Sequence, residues 1–163
     1  MSMHLAQLNV AHMRAPKDSP ELASFMAGLE PLNQLAEASP GFVWRLKGGE
    51  GPEDTVEHLY GDHLLINFSV WESRDTLWNY IYRTVHLEFL QRRREWFLHM
   101  AEAYSVMWWV PAGYEPTLDE GMERLALLRA EGPTPSAFTF KNFYDPEDSS
   151  EAASLPAAAE ARK

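Results

Sequence analysis

Cysteine is absent from the 163 residues, which excludes disulfides, thiolate metal sites and a cysteine nucleophile. Basic residues are scarce beside acidic ones, 14 against 24, for a formal net charge of −10. A surface of that sign repels phosphate backbones and anionic headgroups, so nucleic acid and membrane surfaces are unsuitable partners. No apolar run reaches the ~18 residues of a membrane-spanning helix. The first residues, Met1 to His4, lack the basic stretch and apolar run of a secretory leader, and the expectation is a cytoplasmic protein. Also missing are a P-loop, a dinucleotide-binding glycine pattern, a G-x-S-x-G elbow and any H-x₃-H spacing among the six histidines,.

What is present suits one folded domain. Hydrophobic residues make up 45% of the chain and aromatic residues 12%, including six tryptophans, enough for a core and too many for a disordered chain. From Asp145 onward the composition changes to small and acidic residues with a single leucine and no aromatic ring. The reading is a domain over 1–145 and a disordered acidic, alanine-rich tail over 146–163.

Hydrophobic periodicity orders the domain. Residues 4–10 alternate as a strand. Ser19-Pro20 opens a helix reaching about residue 37, with Pro31 expected to kink or shorten it. A strand follows at 42–47, then a connector over 48–61 that holds His58, with His63 just beyond. The strand at 62–71 has Leu65, Asn67, Ser69 and Trp71 on one face. Ser73 caps a helical stretch reaching about residue 101, with a break expected near Thr84. The segment 104–111 is apolar on both faces, the mark of a strand covered on both sides. Thr117-x-x-Glu120 reads as a capping box for a helix over 117–130, with Gly132 beyond its end. Residues 137–143 alternate as a fifth strand or an extended arm.

The succession β-α-β-β-α-β is the ferredoxin-like order, an α+β fold with an extra C-terminal helix and arm. Helices cover one face of such a sheet. The other face is also apolar here, and left bare it would call for a partner. The expectation is a homodimer with sheets facing each other, a dimeric α+β barrel.

Placed at ~100° per residue, Trp78, Tyr82, His86, Phe89, Arg93 and Trp96 fall within ~80° on one helical face. A neutral His86 on an apolar wall could serve as a general base, bind a substrate or ligate an iron; as a core histidine it would need one hydrogen-bond partner. Arg93 would meet a substrate anion or pair with Glu88 or Glu102. Because the first and third strands are central neighbours in this topology, Gln7, Asn9, Asn67 and Ser69 would meet in mid-sheet.

The string Val70-Trp71-Glu72-Ser73 followed by a helix carrying His86 resembles the antibiotic-biosynthesis-monooxygenase-like group of dimeric α+β barrels. The segments YRTVHLEFLQRRREWF (82–97), MWWVPAGYEPT (107–117) and GPTPSAFTFKNF (132–143) resemble domain-of-unknown-function family 3291 within it. The resemblance implies the barrel and the dimer. It also implies a monooxygenase-like oxidoreductase acting, without a required cofactor, on an apolar or aromatic small molecule held between sheet and helices. His86 and Asn9 would be the catalytic residues, with Arg93, Tyr82, Trp78, Asn67, Trp71 and Trp108 contacting substrate. Heme enters through heme-degrading relatives, with His86 as its ligand, although the helix spacing departs from their pattern. The alternative is a non-catalytic small-molecule-binding or structural homodimer.

Overall fold

The computed structural model describes residues 2–16, 18–46 and 64–147. The connector over 48–61, His58, His63 and all but the first two residues of the tail over 146–163 lie outside the described residues.

Four strands, β1 (Met3–His12), β2 (Phe42–Arg45), β3 (Leu64–Trp71) and β4 (Ser105–Pro111), form one sheet in the order β2-β3-β1-β4. Every neighbouring pair is antiparallel. β1 and β3 are central, as the succession of elements requires, and their register sets Gln7 opposite Ser69 and Asn9 opposite Asn67. Side chains alternate across a strand, so this register separates two faces. Leu5, Gln7, Asn9, Asn67, Ser69, Trp71 and Met107 share the near face; Ala6, Leu8, Val10, Phe68, Val70, Val106 and Trp108 share the far face.

The near face is roofed by helices. A 3₁₀ turn at Pro20–Leu22 leads into α1 (Ala23–Ala38). The expected Ser19 cap is not made: its Oγ is buried without a partner among the described residues. Pro31 lies inside α1 without ending it, and Leu32 and Ala36, buried just beyond, hold that turn against the sheet. The single helical stretch expected to run from Ser73 to about residue 101 is three pieces, α2 (Arg74–Tyr82), α3 (His86–Gln91) and α4 (Arg93–Trp96). Ser73 caps α2 through a capping box with Thr76. The break falls at Thr84, whose Oγ1 donates to the Tyr80 carbonyl and accepts from the His86 amide. A threonine hydroxyl that takes over backbone partners in this way competes with the helical ladder. Past Trp96, Phe97 forms a bridge with Met13, which ends helical structure short of residue 101.

The far face is covered by α5 (Leu118–Glu131) of the same chain, and this corrects the expectation of a bare face. Gly121, Leu125 and Leu128 pack on it, and Leu8, Phe68 and Trp108 are buried within the single chain. A Cβ on Gly121 would stand 2.6 Å from Leu8 Cδ1, so the close approach needs glycine. Thr117 caps α5 by accepting from the Glu120 amide at 3.1 Å. The return half of the capping box is not made. The Glu120 carboxylate turns inward to accept from Trp108 Nε1 at 2.9 Å and from the Tyr114 hydroxyl at 2.6 Å. Burying an indole N–H calls for an acceptor, and Glu120 supplies it.

The segment after α5 is not a strand. Phe138 exchanges two backbone hydrogen bonds with Met107 on β4, 2.8 and 2.9 Å long, and the pairing stops at that one bridge. Phe138 is buried against Phe143 and Tyr144, so this arm packs on its own chain.

Candidate functional site

Between the near face and its helical roof lies a cleft of about 460 Å³. Its floor is built by strand alternation: Gln7 and Asn9 from β1, Asn67 from β3, Met107 from β4. Leu29, Leu32 and Phe89 make an apolar wall from α1 and α3, and Phe140 and Lys141 of the C-terminal arm reach the rim. The volume falls in the usual range for small-molecule sites, ~300–1,000 Å³.

The floor carries a connected polar network. Gln7 Nε2 donates to Asn67 Oδ1 at 2.8 Å and to Ser69 Oγ at 2.7 Å. Asn9 Nδ2 donates to Gln7 Oε1 at 3.0 Å. Ser69 Oγ also accepts from Trp71 Nε1 at 2.9 Å. Gln7 and Ser69 are buried, and Asn67 is exposed to the opening.

His86 begins α3 and lines the cleft. Its ring packs against Tyr80, centroids 5.0 Å apart. Its Nδ1 is buried with no partner among the described residues. Burial holds its pKa below the ordinary histidine value, and the backbone carbonyl of Ile81 pulls the other way. The imidazole is therefore neutral near pH 7 and able to accept a proton. The Tyr80 phenol donates to the Leu32 carbonyl at 3.1 Å, and burial raises its pKa.

Arg93 lines the same cleft, but without either carboxylate named for it. Its Nη1 donates to the Tyr104 hydroxyl at 2.9 Å, with the guanidinium 4.4 Å from that ring's centre. Glu102 faces Arg129 instead, at 3.4 Å. Tyr82 lines the cleft, and Trp78 stands behind it, centroids 4.3 Å apart, with Arg74 over its ring.

The structure thus brings together His86, Asn9, Asn67, Arg93 and Tyr82. None of the three expected tryptophans lines the cleft: Trp78 stands behind Tyr82, and the other two lie elsewhere. Trp71 shares the near face but is sealed under Tyr80, rings stacked at 5.2 Å, and supports the floor through Ser69. Trp108 is on the far face beneath α5. Tyr104 and the Phe140-Lys141 pair escaped the sequence reading. In the sequence Tyr104 starts a strand and 137–143 alternates as a fifth strand or an extended arm, and neither pattern marks a site.

A heme would need an axial imidazole held at its second nitrogen by an acceptor. His86 Nδ1 makes no such hydrogen bond among the described residues. The residues present do not fit heme. Among the described residues no three His, Asp or Glu side chains group as a metal site, and no helix is long and apolar enough to cross a membrane.

No curated protein and no solved structure matches the chain. The model of one family does, the domain of unknown function DUF3291, over residues 4–154. With nearly the whole chain inside that match, the sheet, its roof and the cleft between them are those of a DUF3291 protein, and the chain belongs to that family.

Proposed function

We propose that the cleft binds an apolar, ring-containing small molecule with an oxygen function, and that the protein is a monooxygenase-type oxidoreductase. The observation that carries this reading is the pairing of a buried, neutral His86 with a carboxamide floor in one apolar cleft. His86 takes the proton that activates the substrate, the task for which an unprotonated imidazole is suited. Asn9 and Asn67 hold the oxygen function, and Tyr82 with the Leu32–Phe89 wall encloses the rings. Arg93 uses one N–H on Tyr104 and keeps further donors for an anionic substituent,. The activated substrate reduces dioxygen; one oxygen atom enters the product and the other leaves as water.

The strand succession and sheet order support a ferredoxin-like domain,. A homodimer built by facing sheets draws no such support, because α5 lies where the partner's sheet would sit.

The test is oxygen uptake with 1,8-dihydroxyanthrone, an aromatic compound with an oxidisable ring CH₂. The expected result is uptake above the buffer rate, lost in His86→Ala while the fold is retained. Uptake equal in wild type and variant would overturn the reading. Binding without uptake would leave the non-catalytic ligand-binding alternative.

A further inference from the structure

Gln7 is the buried centre of the floor, and all of its hydrogen-bonding groups are taken. Its oxygen faces Asn9, and its nitrogen faces Asn67 and Ser69. A carboxamide has an acceptor at one end and donors at the other. The two asparagines that bind its opposite ends must therefore turn opposite ends toward the cleft. Asn9 gives Gln7 its nitrogen and keeps Oδ1; Asn67 gives its oxygen and keeps Nδ2. Neither remaining group makes a hydrogen bond among the described residues, and both residues line the cleft. The two residues are direct cross-strand partners, so the acceptor and the donor belong to neighbouring side chains on the floor.

We propose that this pair reads a neutral group offering a donor and an acceptor on one edge, as a lactam or primary carboxamide does, with Gln7 as the positioning residue that sets the polarity. The inference rests on the cleft being a small-molecule site. Its apolar walls would hold the ring system that bears the amide edge, and each polar group on the floor would then be matched.

Three bicyclic probes test this by calorimetry. 2-Quinolone carries the edge, N-methyl-2-quinolone lacks the donor, and naphthalene lacks both groups. The expected order is 2-quinolone at least about tenfold tighter than N-methyl-2-quinolone. In Gln7→Glu the buried side chain only accepts, both asparagines turn nitrogen inward and the floor shows two acceptors. Both quinolones then lose the donor for their carbonyl and bind at least about tenfold weaker, while naphthalene is unaffected. Should that buried change prevent folding, Asn67→Asp is the second variant. Asn67 is exposed, and an aspartate there still accepts from Gln7 but shows the cleft an acceptor in place of a donor. It too should weaken binding of both quinolones and spare naphthalene. Equal binding of both quinolones by the wild type, or undiminished 2-quinolone binding in folded variants, would overturn the role of Gln7 and leave the cleft as a ligand site. Binding of none of the three probes would overturn both.

Discussion

The imidazole of His86 packs on the phenol ring of Tyr80 with its Nδ1 sealed from water and unpaired among the described residues. Protonating that ring means charging a group in an apolar wall. Its pKa in the folded chain is therefore depressed, and the sign of the linkage follows,. Above the unfolded value of ~6.5 the group does not alter stability. As pH falls below it, the unfolded chain takes up the proton first and the fold loses stability until the lowered folded pKa is passed. Urea unfolding at pH 7.5 and 5.5 should show this loss, and His86→Gln should reduce it. An identical pH dependence in both proteins would count against a buried, neutral His86.

Thr84 supplies the break that sets His86 at the start of its own helix. Replacing it with valine keeps the shape but removes the hydroxyl between the Tyr80 carbonyl and the His86 amide. The expected cost is ~1 kcal/mol of stability, with a shifted His86 ring signal by NMR. An unmoved ring signal would show that α3 begins where it does for another reason.

Trp71 and Trp108 offer a contrast with the cleft residues. Trp71→Phe leaves Ser69 Oγ with one donor fewer, and Trp108→Phe leaves the Glu120 carboxylate without the indole. Each change should lower the thermal midpoint, with ~1–3 kcal/mol lost. Trp108→Phe should leave binding in the cleft intact, because the sheet separates the two faces. A binding defect there equal to that of Asn67→Asp would mean the faces are coupled.

How much of this arrangement was legible in the sequence depends on which period carries the information. Strand alternation placed Gln7, Asn9, Asn67 and Ser69 together, and the register joins them as read. Alternation names a face, however, and not a depth: Trp71 shares the face of Asn67 but lies under α2, beyond the cleft. In β4 both faces are apolar, so nothing marked Trp108 as belonging to the far one. The helical wheel brought His86, Arg93 and Tyr82 to one wall, although a side-chain bond at Thr84 and the turn at Arg92 break the helix that the wheel assumed. The amphipathic pattern of α5 was plain. Where it docks was not, since that depends on a glycine meeting Leu8 across a long sequence separation.

Gly121 gives the docking of α5 its own test. Gly121→Val drives a side chain into Leu8 and the ring of Trp108. Overpacking of this kind costs ~1–3 kcal/mol, and a lower denaturation midpoint with unchanged cleft binding is the expected result. A midpoint equal to wild type would mean that α5 sits farther from the sheet.

Because α5 belongs to the same chain as the sheet it covers, closing the far face is a unimolecular event. A face sealed by a second molecule would open on dilution, and its melting temperature would rise with protein concentration. A face sealed by a tethered helix has a cover whose local concentration the chain itself sets. Dilution leaves it in place, and its opening is governed by temperature, denaturant and the packing of α5 on the sheet residues beneath it.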